Sequence, residues 1–310
     1  MTKRMGDRLQ FAVAVTVGGL LTGGTLIHIV THEKALTTPP PVATAPRPYP
    51  ASLAGARRVS AVDPASPKHR GDPQLIWSDE FNGTGRPSPQ KWTYQKGDRD
   101  GWGVGGLAYY DPALANEDGQ GHLVITAIRN TLTQPTCWYG PCRYRSARIQ
   151  SAGRFPLQYG TFAARIRFPA GQGIYPAFWL QRSRPGNPYA EIDIAEIFGA
   201  RPNIIYGAAH QNVKVSNNTH TLKHPINSRF HIYRVDWTPT KITWRVGNHI
   251  YGTLKRKSPW PFNQPMQIIL NLQTGGHWQG PPSPQTHFPA EMLVDWIRVY
   301  KSTSRPLPTK

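Results

Sequence analysis

The chain has 310 residues and a mass of 34.6 kDa, enough for one large domain or two small ones. Its 31 prolines and 29 glycines argue against a helical bundle and for a body with many turns, and 10 tryptophans add a large aromatic surface. A formal net charge of +19 suits nucleic acid, an anionic membrane or an acidic wall as surroundings without choosing among them.

The chain begins with Lys3, Arg4 and Arg8, and then runs FAVAVTVGGLLTGGTLIHIV over residues 11–30, with no charge apart from one that His28 could carry. Such a run is long enough to cross a bilayer as a helix, and its four glycines make it a poor helix for water. Basic before apolar leaves the remainder of the chain outside. Residues 1–33 are therefore expected to be a signal peptide or an uncleaved membrane anchor. The apolar core is longer than a signal core usually is, and no clean small-x-small exit comes after it, so both readings stand. Residues 34–73, with TPPPVATAPRPYP, have the composition of an extended linker. Nine basic and four acidic residues lie in 1–73, so most of the surplus charge belongs to residues 74–310.

From Leu75 the texture changes to short β-type runs: LIWSDEF, HLVITAIRN, YRSARIQ, GTFAARIRFP, EIDIAEIFG, NIIYGAAH, FHIYRVDW, KITWRVGNHIYGTL, MQIILNL and MLVDWIRVY. Many alternate polar and apolar residues, as strands with one wet face do. The Gly247-Asn248 pair marks a tight hairpin. No sustained helical stripe appears. The expectation is an all-β body of two stacked sheets over residues 74–303, with 304–310 as a tail.

Cys137 and Cys142 bracket a Gly/Pro loop between two strand runs. In a body that faces outward they suggest a small disulfide-closed loop, with free thiols as the alternative. Trp102 in DGWGVGG and Trp278 in GGHWQGPP have glycines on both sides and read as loop rings able to meet a sugar face. Phe178 reads as core. No aromatic strip alternates with basic residues, so nucleic acid is not expected as a partner.

The acids Glu191, Asp193 and Glu196 stand inside an apolar run, EIDIAE, where unpaired carboxylates cost several kcal/mol each. On a helix the second and third would point about 200° and 140° away from the first. On a regular strand Glu196 falls on the opposite face from the other two. One extra residue, a β-bulge, restores it. Three carboxylates in one cleft hold at least one proton near neutral pH, which supplies an ionised nucleophile and a neutral acid, the division of labour of glycoside hydrolysis. A metal site and a solvated acidic face remain the alternatives at this point.

EIDIAE closely resembles the E-x-D-x-x-E signature of glycoside hydrolase family 16, in the bulged form of its laminarinase-like endo-β-1,3-glucanases. LIWSDEFNG, WGVGGLAYY, HLVITA, YGTFAARIRFPAGQGIYPAFWL, ILNLQTGGHW and MLVDWIRVY resemble the same family in the same order, from Leu75 to Lys301. The resemblance implies a β-jelly-roll sandwich with a concave substrate cleft and a retaining double displacement on β-1,3-glucan or mixed β-1,3-1,4-glucan. Glu191 would be the nucleophile, Glu196 the general acid and base, and Asp193 the residue that tunes them. It places Trp102, Tyr110, Tyr175, Trp179 and Trp278 along the cleft and His210 beside the catalytic strand, while Asn271 and Gln273 share a strand parity that reaches the cleft floor.

The departures bear on substrate. Family members commonly carry Asn and Glu where this chain has Gly105 and Gly106, and many have Trp in place of Tyr175. Losing such contacts implies a different glucan or galactan, or looser binding at the non-reducing side. The residue before Glu191 is Ala190 rather than the frequent Gly or Cys. The resemblance also implies a structural calcium as an option, for which Glu80, Gly119 and Asp295 are the candidate ligands. No cofactor is expected for the chemistry, and the partner expected is a polysaccharide met outside the cell by a monomer. An envelope transglycosylase and a non-catalytic carbohydrate-binding protein on the same fold are the competing functions.

Overall fold

A computed structural model describes residues 74–182, 189–211 and 213–301. The expected leader or anchor over 11–30, the linker and the tail lie outside those residues. Among the described residues all regular structure is strand, apart from two short 3-10 turns at Arg99–Gly103 and Pro112–Leu114. An eleven-stranded and a seven-stranded sheet carry the fold. They form a β-sandwich, as expected from the sequence.

The seven-stranded sheet runs, edge to edge, Val213–Thr221, Ile204–Gln211, Glu191–Glu196, Ile174–Arg182, Met266–Thr274, Arg148–Gln150 and Thr93–Gln95. Its strands alternate in the way a two-faced sheet requires. Ile174, Phe178 and Leu180 point into the core with Ile268, Leu270 and Leu272, while Tyr175, Ala177, Trp179, Ile269, Asn271 and Gln273 take the other parity. The second sheet answers with Phe162, Tyr233, Val235, Trp237, Ile242 and Trp244. The hairpin at Gly247-Asn248 joins Lys241–Val246 to His249–Lys255, with Gly247 in the left-handed region that such a turn needs.

Two strands are not announced by the pattern. Val213–Thr221 has two valines and then a continuous polar run, SNNTHT, and Ile174–Arg182 contains Pro176. The Pro176 carbonyl accepts from the Ile197 N–H at 3.2 Å, just past the Ala177–Glu196 pair that ends the ladder. The proline nitrogen faces the same side, so the one bond its missing N–H forgoes is the reciprocal one to Ile197, beyond the end of the ladder.

The acidic strand carries the expected bulge. Against Ile174–Arg182, Trp179 pairs with Asp193 and Phe178 with Ala195, which leaves Ile194 supernumerary. Against Ile204–Gln211, Asp193 pairs with Ala208 and Glu196 with Tyr206, so Ile194 and Ala195 together oppose Gly207. Both residues are fully buried in the core. Two inward residues in succession are what returns Glu196 to the face of Glu191 and Asp193.

Candidate active site

The outward parity of the seven-stranded sheet floors a cleft of about 830 Å³ that holds all three acids. Register places them in rows. Glu191 lies between Gln181 and His210, Asp193 between Trp179 and Ala208, and Glu196 between Ala177 and Tyr206. The row of Glu196 continues through Ala177 to Asn271, Arg148 and Gln95, so the cleft crosses the strands.

Each acid is held by a named partner. His210 Nε2 is 3.0 Å from Asp193 Oδ2 and 3.9 Å from Glu191 Oε1. The Tyr189 phenol donates to Glu191 Oε2 and accepts from Gln181 Nε2 at 3.0 Å. The Tyr175 phenol donates to Glu196 Oε1. Burial and then the neighbouring Asp193 push the Glu191 carboxyl up to about 8; the Tyr189 hydrogen bond and His210 work in the opposite direction. Glu191, Asp193 and His210 are also the one described group of three whose ligand atoms, all within 4.8 Å of one another, could hold a metal.

Beyond Asn271 the floor turns aromatic and cationic. The Arg148 guanidinium lies 4.7 Å from the ring centroids of both Trp102 and Trp179, and Arg99 lies 4.6 Å from Trp102. Trp179 donates through Nε1 to Asn271 Oδ1 at 2.8 Å, which fixes the indole edge. Tyr110 lies 1% exposed, 5.3 Å from Trp102 ring to ring, and acts as a support for the rings and guanidinium of this wall. Trp278, 62% exposed, stands edge-on to Tyr175. The cleft thus gathers every residue that the resemblance assigned to it, including Gln273 at 1% exposure.

Trp102 is carried by a backbone run with Arg99, Asp100, Gly101, Trp102 and Gly103 all at positive φ, an arrangement that surrounding contacts must hold for the three non-glycine residues. The Cys137–Cys142 loop, whose cysteines form a disulfide as expected, bonds to both flanks of that run. Trp138 N–H donates to Asp98 Oδ2 at 2.6 Å, Trp138 Nε1 to the Gly106 carbonyl at 3.1 Å, and the Tyr139 hydroxyl to the Leu107 carbonyl.

Gly105 and Gly106 do not leave open space. A Cβ at Gly105 would collide with the His277 ring and one at Gly106 with the Gln273 amide. The Gln273 amide is itself fixed, since its Oε1 accepts from the Ala108 N–H at 3.0 Å and the Thr274 N–H at 2.8 Å. Polar groups from the strand Met266–Thr274 and the loop after it fill the volume that the two glycines vacate.

Two of the suggested calcium ligands have guanidinium partners. Both Glu80 oxygens receive the Arg298 guanidinium, at 2.9 and 2.7 Å, and the Asp295 carboxylate receives Arg165. Gly119 lies in the turn between Ala115–Asp118 and Leu123–Arg129. The side-chain oxygens that a hard cation would use are already occupied by guanidinium groups.

Sequence reasoning did not reach Tyr189, Gln181, Arg148, Arg99 or His277, which also line the cleft. Arg148 alone left a signal, a cation inside the strand-like run YRSARIQ.

Comparison with known proteins agrees with this geometry. The family model for glycosyl hydrolases family 16 matches residues 112–298. A beta-glucanase of Rhodothermus marinus is 34% identical over 250 residues, 74% of this chain and 85% of that protein. Glucan endo-1,3-beta-glucosidase A1 of Niallia circulans is 31% identical over 287 residues, 83% of this chain, which spans only 41% of that longer protein. The crystal structure of the laminarinase catalytic domain from Thermotoga maritima superposes with a TM-score of 0.70 at 33% identity, covering 75% of this chain and all of that one.

Proposed function

The chain belongs to glycosyl hydrolase family 16, and on that premise we propose that it is an endo-acting, retaining hydrolase of β-1,3-glucan or mixed β-1,3-1,4-glucan. The observation that carries the reading is the bulge that sets Glu191, Asp193 and Glu196 on one cleft floor, flanked by indole and phenol rings.

In the first step the Glu191 carboxylate attacks the anomeric carbon while Glu196 gives its proton to the departing glycosidic oxygen. In the second, Glu196 takes a proton from water as that water's oxygen displaces Glu191 from the anomeric carbon. Glu191 must be ionised to attack, against the burial that favours its neutral form. Tyr189 and His210 both favour the ion. The two carboxyl groups perform the whole exchange, so the chemistry requires no cofactor.

A chain of sugars laid across the strands meets Trp102 and Trp179 on one side of the acids and Trp278 near Tyr175. A cleft that crosses the sheet suits attack within a polymer. The names of the relatives support the glucan, and the disulfide supports an outward-facing domain. Residues 1–33 are proposed as the segment that carries it past the membrane, and a monomer as the working form.

Laminarin, lichenan, agarose and carrageenan, each incubated with the domain and analysed by mass, test the reading. New reducing ends from laminarin or lichenan support it; products longer than the starting chains would replace it with transglycosylation, and cleavage of agarose or carrageenan alone would replace the substrate.

A further inference from the structure

The bulge that aligns the acids leaves two backbone carbonyls turned away from the ladder, and both are met from the other sheet. The Asp193 carbonyl accepts from Trp244 Nε1 at 2.8 Å, and the Ile194 carbonyl from the Tyr251 hydroxyl at 2.6 Å. Trp244 belongs to Lys241–Val246 and Tyr251 to His249–Lys255, so both side chains cross the core to reach the bulge. Trp244 is fully buried, and burial holds the Tyr251 phenol far above its ordinary value, so that its hydroxyl keeps its proton to donate.

The opposing strand is shaped to admit them. Gly207 is the single residue facing Ile194 and Ala195. A Cβ there would stand 2.6 Å from the Tyr251 hydroxyl and 2.8 Å from Trp244 Cδ1, closer than real contacts allow. Its φ is not in the left-handed region, so the demand for glycine is one of space.

We propose that Tyr251 and Trp244 are positioning residues for the acids: by donating to the inward carbonyls of Ile194 and Asp193 they hold the bulge that aims Glu196 into the cleft. The inference rests on the hydrolase reading of the acids. A buried carbonyl without a donor is costly, so loss of either donor drives the strand toward another register or an opened bulge. Displacement of a reacting carboxylate by about 1 Å costs up to roughly a hundredfold in rate. Sugar contacts made by Trp102, Trp179 and Trp278 lie on other strands and loops and stay in place.

The test compares wild type with Tyr251→Phe, Trp244→Phe and, as a control, Tyr233→Phe, which removes a buried hydroxyl from the same core layer that makes no hydrogen bond to the bulge. Circular dichroism first establishes that each variant folds. On the glucan that wild type hydrolyses, Tyr251→Phe should lower kcat between about tenfold and a hundredfold with KM unchanged, while Tyr233→Phe keeps wild-type kcat. The cluster's titration, followed by carboxyl carbon-13 resonance, should move toward ordinary carboxylate behaviour in Tyr251→Phe and Trp244→Phe and stay unmoved in Tyr233→Phe. A Tyr251→Phe enzyme with wild-type kcat and titration but a lower Tm overturns the proposal, as does an equal loss in Tyr233→Phe. Should wild type cleave none of the polysaccharides, the hydrolase reading fails, and the titration still decides whether the two side chains set the acids' positions. If Trp244→Phe does not fold, Tyr251→Phe carries the decision.

Discussion

Tyr189 donates a hydrogen bond from its phenol to Glu191, two residues further along the chain, and this bond is one of two interactions that favour the ionised form of the buried carboxyl. Removing it in Tyr189→Phe should push the Glu191 carboxyl higher still. A hydrogen bond to a charged group is worth about 1.5–3 kcal/mol, or roughly one to two pK units. The acidic limb of the kcat/KM profile should move to higher pH by that amount, with activity recovering in alkaline buffer. An unmoved limb would mean that the phenol plays no part in ionising Glu191.

Glu191 also makes a prediction about stability. Its folded value of about 8 lies above the ordinary carboxyl range, so the folded state binds this proton more tightly than the unfolded chain. Stability is unaffected below the unfolded value and falls as pH rises through the window up to about 8. Glu191→Gln should therefore lose turnover by several orders of magnitude yet melt higher than wild type at pH 8, by a few kcal/mol at most. Below pH 4 the two melting curves should coincide. A variant that melts lower at pH 8 contradicts the assigned cost.

Glu196→Gln separates the two steps. The first needs a proton only if the leaving oxygen is a poor leaving group, so polysaccharide hydrolysis should fall by several orders of magnitude. An aryl glycoside with a good leaving group should still glycosylate the enzyme quickly, releasing a burst of phenol before the slow second step. Equal losses on both substrates, with no burst, would assign the proton transfer elsewhere.

Gly106 and Gln273 should behave as a pair. Gly106→Ala forces the Gln273 amide away from the Ala108 and Thr274 N–H groups, and the expected result is a raised KM with kcat little changed. Gln273→Ala in the same molecule removes the collision and should recover part of the loss. Additive defects in the double variant would show that the two residues do not share the volume.

The bulge was legible because a spacing of five between Glu191 and Glu196 contradicts strand parity, and parity is a local rule. The sandwich was legible for the same reason, strand by strand. Tyr189 was not, although it shares parity with Glu191, because it precedes the acidic run and nothing in PYAEIDIAE marks a flanking tyrosine as a partner of the first acid. Gly105 and Gly106 pointed to lost contacts, since the side chains that take their room come from residues 273 and 277, a long-range replacement with no local signature. Trp244 and Tyr251 looked like ordinary core residues in KITWRVGNHIYG, and their polar atoms gain meaning only once the other sheet's carbonyls are placed. The pairing of Glu80 with Arg298 and of Asp295 with Arg165 was not legible either, because each arginine lies more than a hundred residues from its carboxylate in sequence.

The loop closed by Cys137 and Cys142 props the strained segment that presents Trp102, although neither cysteine approaches the acids. Enzyme made in a reducing cytosol and enzyme made in an oxidising compartment would then share one catalytic centre and differ in how firmly they grip a long glucan. Two preparations with the same sequence and the same burst rate on a short aryl glycoside could report different KM values on a polymer, and the difference should vanish on reoxidation.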